Sequence, residues 1–182
     1  PVAEICRLVK NSGARSCVDG VSFAPHCFPD LSELGADIYL FSSYKTYGPH
    51  LGVMYISEDY NESLSNQGHY FNSQDLSKRL TPAGPDHAQI AAAAGMADYI
   101  EVIYDHHSDE SAPLADKAKL VGQMQRAHEK SLLEPLLDYL RQSQKVRILG
   151  SANASERLPT VALDLEKPAE PIARSLSQYE IM

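Results

Sequence analysis

Residues 37–57 read DIYLFSSYKTYGPHLGVMYIS, two short apolar runs on either side of a polar, glycine-bearing turn. The first run, 37–41, and the last, 52–57, have the length and β-branched or aromatic content of buried strands. Between them Ser42-Ser43-Tyr44-Lys45 leads into Thr46-Tyr47-Gly48-Pro49-His50-Leu51-Gly52. A lysine and three hydroxyl side chains therefore sit just past a strand end.

Upstream, residues 2–10 place Val2, Ile5, Leu8 and Val9 on one helical stripe, and Asn11-Ser12-Gly13 stops it. Residues 15–19 suit a strand ending at Asp19-Gly20, and 29–35 a short helix capped by Asp30. Helix and strand alternate so tightly that an α/β layer is expected. Downstream, 58–79 reads as a long polar surface excursion and 86–104 as one Ala-rich helix capped by Asp86. A second helical pattern runs from about 114 to 142, with Leu120, Met124, Leu132, Leu133, Leu136, Leu137 and Leu140 as its apolar positions. Pro135 marks a kink or a break in it. Strands are expected at 145–149 and 160–165, and a helix at 168–178.

In an open α/β sheet, ligands bind at the carboxyl ends of strands, so Asp19 and Lys45 are expected to face one crevice. A lysine beside a carboxylate, hydroxyl groups and a Gly-rich turn is the equipment of a pyridoxal 5'-phosphate site. The amine binds the cofactor as a Schiff base, and the carboxylate keeps the pyridine nitrogen protonated. Ser42 and nearby backbone N–H groups suit phosphate oxygens.

The ordered set Val18-Asp19-Gly20, Pro25-His26, Asp30-Leu31, Gly35-Ala36-Asp37-Ile38-Tyr39, Ser42-Ser43-Tyr44-Lys45 and Gly48-Pro49-His50-Leu51-Gly52-Val53-Met54-Tyr55 resembles the cofactor-lysine region of class V aminotransferases. Within that family it is most similar to the cysteine desulfurase-like branch. The resemblance implies a fold-type I pyridoxal-phosphate architecture, a mixed and mainly parallel sheet with helices on its faces. It assigns residues 1–142 to the later part of the large domain and 143–182 to the opening of a small α+β domain. Lys45 becomes the Schiff-base lysine and proton shuttle, and Asp19 the partner of the pyridinium nitrogen. Ser22 stands near the ring hydroxyl, where many relatives carry Gln. Tyr44 stands where desulfurases carry His before the lysine, with its hydroxyl available to phosphate, and Ser43 replaces their glycine. Thr81-Pro82-Ala83-Gly84-Pro85-Asp86 is similar to the turn that reaches the neighbouring subunit's phosphate, so Gly84 would complete the site across a homodimer. His26 and His50 fall near the expected substrate pocket.

Each of these residues also has a plainer use. Asp19 can cap a turn with Gly20, Ser42 and Tyr44 can satisfy backbone groups, and a histidine packs as readily as it reacts. Adjacent His106-His107 with Asp105 and Asp109 do not have metal-ligand spacing, so no metal is expected. A non-catalytic scaffold that keeps this fold for binding or assembly is the rival from another class. P-loop and dinucleotide-binding readings fail, since neither glycine motif occurs.

The net charge of -8, from 16 basic and 24 acidic residues, disfavours nucleic acid and anionic membrane as partners, and the resemblance implies a small amino-acid substrate. Cys6, Cys17 and Cys27 form no C-x-x-C pair, which fits a reduced cytoplasmic setting. Cys6 lies on the apolar stripe of the first helix as a small core residue, and Cys17 and Cys27 have no evident activating base. The chain opens on Pro1 and stops directly after a helical pattern, as a piece of a longer enzyme would, and such a piece is expected to be inactive by itself.

Overall fold

The computed structural model describes residues 1–81 and 84–181. They form two compact units, Pro1–Gln123 and Met124–Met182. The first contains α1 (Val2–Asn11), β1 (Cys17–Asp19), α2 (Leu31–Leu34), β2 (Ile38–Ser42), β3 (Gly52–Ile56), α3 (Glu58–Ser63), α4 (His87–Ala92) and α5 (Gly95–His107). Helix α6 (Leu114–Gln142) begins in the first unit and ends in the second, where β4 (Arg147–Leu149), β5 (Ala162–Asp164) and α7 (Ala169–Ser177) follow.

The sheet of the first unit is mixed and ordered β1-β2-β3. Strands β1 and β2 are parallel, with Cys17 opposite Ile38 and Asp19 opposite Leu40, while β2 and β3 are antiparallel from Ile38–Ile56 to Ser42–Gly52. The start of the parallel pair is pinned by one buried carboxylate. Asp37 accepts from the Arg15 guanidinium at 2.8 Å and from the Ser16 N–H at 2.8 Å, and the Ser16 hydroxyl lies 3.1 Å away. Its end is shaped by contact: a Cβ added to Gly20 would lie 2.0 Å from the Tyr39 hydroxyl, so only glycine lets the chain turn there. Tyr39 is buried, its ring 6.3 Å from Phe41, which in turn meets Phe28 edge-on at 5.5 Å.

The short helix at Asp30 forms as its cap demands. The carboxylate accepts from the Ser32 and Glu33 N–H groups, and Gly35 closes the helix in the left-handed region at φ 66°. Three elements differ from the sequence reading. Residues 58–79 are not all irregular: α3 occupies the beginning, with Glu58 and Asp59 in its first turn. The single Ala-rich helix is two. At Ala93 and Ala94 the backbone stays right-handed but i→i+3 bonds enter, such as Ala97 N–H to Ala94 O at 2.8 Å, and α5 starts afresh at Gly95. Pro135, by contrast, does not divide α6. It removes one backbone donor, while Leu133, Leu137 and Leu140 on the same stretch are buried, and that burial holds the helix together. Helix α1 also buries Cys6 and leaves Val2, Ile5 and Leu8 exposed, so its apolar stripe is not turned to the core.

In the second unit Leu133, Leu137 and Ala154 form the core, with Ile148 and Val161 packed against it. Strands β4 and β5 pair antiparallel, and Arg147 and Asp164 join across them at 2.6 Å. Arg157 ties the connection by donating to Ser151 O and Thr160 O, and Arg126 donates to Arg157 O. Among the described residues no helix is long and apolar enough to cross a membrane.

Hydrogen bonds from Ser16, with Arg15 beside it, hold the Asp37 carboxyl below its ordinary value of 3.8 against the opposing cost of burial. A depressed carboxyl stabilises the fold above the unfolded-state value, and that contribution disappears as pH falls through the folded value. Asp37→Asn should therefore cost about 1–3 kcal/mol at neutral pH in chemical denaturation. The gap from wild type should narrow below about pH 4. A pH-independent gap would mean that the charge is not what Asp37 contributes. The Tyr39 hydroxyl is buried with no hydrogen-bond partner among the described residues. Tyr39→Phe should accordingly leave the melting temperature unchanged or raise it, by the equivalent of about 1 kcal/mol, whereas Gly20→Ala should lower it. A clear loss in Tyr39→Phe would reveal a partner for that hydroxyl.

Candidate functional site at the carboxyl edge of the parallel strands

Because β1 and β2 run parallel, their carboxyl ends share one edge of the sheet. Strand β1 ends on Asp19; β2 ends on Ser42 and passes straight into a 3₁₀ turn, Ser43–Lys45. Asp19 and Lys45 are both exposed there. One oxygen of Asp19 accepts the Val21 N–H at 2.9 Å, closing a turn over Gly20, and the other makes no hydrogen bond among the described residues. The plainer use of Asp19 as a turn cap is thus present, and it occupies half of the carboxylate.

The Lys45 amine has no ion-pair partner among the described residues; it stands 5.9 Å from the centre of the Tyr44 ring. Tyr44 is itself stacked on His50, with ring centres 4.5 Å apart and planes 6° from parallel. The structure therefore brings Lys45, Tyr44 and His50 into one group. The half-buried Ser42 has a hydroxyl free of hydrogen bonds among the described residues. Ser22 is exposed in the turn after Gly20, and His26 is half-buried at the end of the same segment. Ser22 shares no hydrogen bond or ring contact with the lysine group among the described residues.

Gly84 is exposed, while Pro82 and Ala83 of its turn lie outside the described residues. Just beyond, the Asp86 carboxylate accepts from the Ala88 and Gln89 N–H groups at 3.1 Å each. The first turn of α4 is therefore already capped by its own chain.

Two residues not assigned a role in the sequence reading organise the lysine turn. Ser43 is fully buried, at 0% exposure. Its hydroxyl lies 2.5 Å from Pro49 O and 2.9 Å from Leu51 O, its N–H donates to Leu51 O at 2.8 Å, and its carbonyl accepts from the Thr46 and Gly48 N–H groups. Thr46, also buried, places its hydroxyl 2.9 Å from Ser43 O and 3.0 Å from the Met96 sulfur. The path is tight: a Cβ on Gly48 would come within 2.9 Å of Met96 and 3.0 Å of the Ser43 Cβ. Tyr47 takes a left-handed backbone at φ 67° and lays its ring on Tyr99, 4.2 Å between centres. The one sequence signal was Ser43 itself, a hydroxyl in place of glycine.

Burial pushes the Tyr39 phenol above its ordinary value, and the nearby charges of Cys27 and Asp19 add to the rise. Among the described residues no group of three or more His, Cys, Asp or Glu side chains is arranged to hold a metal ion. The His106 and His107 rings meet edge-to-face at the end of α5.

The family described as Aminotransferase class-V matches residues 1–182. The aminotransferase-like protein FGM3 of Gibberella zeae is 33% identical over 156 residues, covering 85% of this chain and 36% of that protein. The cysteine desulfurase-like protein ustD of Aspergillus flavus is 30% identical over 173 residues, covering 91% of this chain and 35% of that one. The apo structure of a cysteine desulfurase from Thermococcus onnurineus superposes with a TM-score of 0.67 at 21% identity, over 100% of this chain and 44% of that chain, and so shares the fold. The chain thus spans well under half the length of these proteins. With the match extending over every residue of the sequence, the chain belongs to the class V aminotransferase family, in its cysteine desulfurase-like and aminotransferase-like part.

Proposed function

We propose that the protein is a pyridoxal 5'-phosphate enzyme that acts on an amino acid, with Lys45 as the residue that holds the cofactor covalently. The chief support is the edge described above, where an uncommitted amine and a half-committed carboxylate stand at the ends of two parallel neighbouring strands. That donor set suits the cofactor: an amine for its aldehyde, a carboxylate for its ring nitrogen, and unengaged hydroxyls for its phosphate. When bound, the cofactor supplies the electron sink that stabilises negative charge on the substrate's α carbon.

The chain's own groups do the rest. Lys45 binds by its amine, gives place to the substrate's amine, and then moves the proton at the α carbon. Asp19 keeps a proton on the ring nitrogen through charge and hydrogen bonding. Ser42 and Tyr44 donate hydroxyls to phosphate, with Gly84 of a second copy completing that end in a homodimer. Ser22 sits by the ring hydroxyl, and His26 and His50 line the substrate side. Residues 1–142 act as the later part of the cofactor-binding domain and 143–182 as the opening of the small domain. The stretch alone is inactive in this reading, because the partners of these groups come from the rest of the enzyme. Cys6, Cys17 and Cys27, none of them in a disulfide among the described residues, are consistent with a cytoplasmic setting.

Borohydride treatment of the full-length protein with pyridoxal phosphate should fix the cofactor on Lys45, as read by peptide mass spectrometry, and Lys45→Ala should remove both label and turnover. Since Lys45 is exposed and has a ring contact but no hydrogen bond or ion pair among the described residues, that variant should melt with wild type. A label on another lysine would end the assignment. Asp19→Asn keeps an oxygen for the Val21 N–H and loses only the charge, so turnover should fall by about 10²-fold or more with the fold retained. A rate within about twofold of wild type would remove Asp19 from the site.

A further inference from the structure

The lysine turn is built around a side chain that touches neither cofactor nor substrate in the reading above. Ser43 carries no exposed surface, yet its hydroxyl reaches the carbonyls on both sides of His50, those of Pro49 and Leu51. The same residue immediately precedes Tyr44, whose ring lies flat on His50. One buried hydroxyl thus ties together the two chain segments that carry the stack, and Lys45 leaves the chain one residue beyond it. A lysine has a flexible four-carbon stem, and at an exposed position little else limits where its amine goes. The Tyr44 face, 5.9 Å from the amine, stands as a wall beside it.

We propose that Ser43 is the positioning residue for Lys45, acting through the Tyr44–His50 stack, which restricts the direction from which the amine approaches an aldehyde. The inference rests on Lys45 being the cofactor lysine, and it concerns how that amine is aimed. In the step it governs, the neutral amine adds to the aldehyde carbon, a C–N double bond replaces the C–O double bond, and one water leaves. Borohydride then delivers hydride to the carbon and a proton from solvent goes to nitrogen, leaving a stable secondary amine. Covalent capture depends steeply on approach geometry, and a displacement of about 1 Å can cost up to 10²-fold. Ser43→Ala would leave two buried carbonyls with one donor fewer and free the His50 segment from the lysine turn. His50→Ala removes the wall's support from the solvent side without disturbing a buried group, whereas His50→Phe keeps a flat ring for Tyr44 to stack on.

The test uses cofactor-free full-length protein, mixed with pyridoxal phosphate for set times, quenched with borohydride and read by mass spectrometry for the fraction of Lys45 labelled. In parallel, the rate of reductive methylation of Lys45 by limiting formaldehyde, with cyanoborohydride as the hydride donor, reports the amine with no cofactor present. Ser43→Ala and His50→Ala should label about tenfold more slowly than wild type with pyridoxal phosphate, and His50→Phe should recover most of the rate. Formaldehyde, small enough to be met from any direction, should methylate Lys45 in all of them within about twofold of wild type. If His50→Ala, which alters only an exposed ring, labels at the wild-type rate, the positioning role is overturned even where Ser43→Ala fails to fold. Equal slowing of both reagents would also overturn it, because the amine would then have lost access and not aim. Absence of the Lys45 label in wild type would instead defeat the underlying cofactor assignment.

Discussion

The parallel pairing of β1 with β2 is the constraint on which the rest depends. A register of Val18 on Tyr39 brings the ends of two separate segments to one edge, with Asp19 closing β1 and Lys45 in the turn that follows β2. The pairing spans few residues, so its ladder alone is weak, and it is fixed at both ends by side chains. At the start, Asp37 draws in Arg15 and Ser16 from the segment leading into β1. At the end, Gly20 gives up a side chain so that Tyr39 can lie beneath the turn. A one-residue slip would bring Tyr39 to the opposite face and place a Cβ-bearing residue where only glycine fits.

How much of this was legible follows from the kind of interaction involved. Asp30 capping α2 and Gly35 ending it could be read directly, because a cap uses residues two or three positions away. Strands β1, β2 and β3 could be read from short apolar runs bounded by Asp19-Gly20 and Gly52. Helix α3 escaped because one and a half turns carry too few positions to show a period. The division at Gly95 escaped for the opposite reason: a run of alanines offers no apolar pattern whose phase could break. Pro135 misled, since its local cost is visible in sequence, whereas the burial of Leu133 and Leu137 that outweighs it is a property of the second unit's core.

At the candidate site, the groups proposed to react could be singled out in the sequence, and the residues that support them could not. Lys45 and Asp19 are recognisable because chemistry demands an amine and a carboxylate at strand ends. The partners of Ser43 are backbone carbonyls six and eight residues along, and a carbonyl has no letter of its own in a sequence. The Tyr44–His50 stack likewise depends on a turn whose closure is set by Ser43, Thr46 and Gly48 together. What could be read was the substitution itself, a hydroxyl residue where the related desulfurases have glycine, and the structure shows that the extra atom is fully used.

A division of labour emerges across the edge. Polar groups that hold the scaffold are buried and satisfied: Asp37 by three donors, Ser43 by its loop, and Thr46 by Ser43 and Met96. The groups proposed to react are exposed or half-buried and, among the described residues, left partly unengaged, namely the Lys45 amine, one Asp19 oxygen and the half-buried Ser42 hydroxyl. A buried group without a partner would cost stability, and an exposed one costs little while water serves it. Reactive groups can therefore be kept available only where the scaffold beneath is complete, and residues 37–51 achieve both within a single strand and turn. The Tyr39 hydroxyl, buried without a hydrogen-bond partner among the described residues, departs from this pattern and lies directly under Gly20, where filling the space with a smaller side chain would remove the support for the turn that presents Asp19. Packing of the ring, and not the satisfaction of its oxygen, is what that position demands.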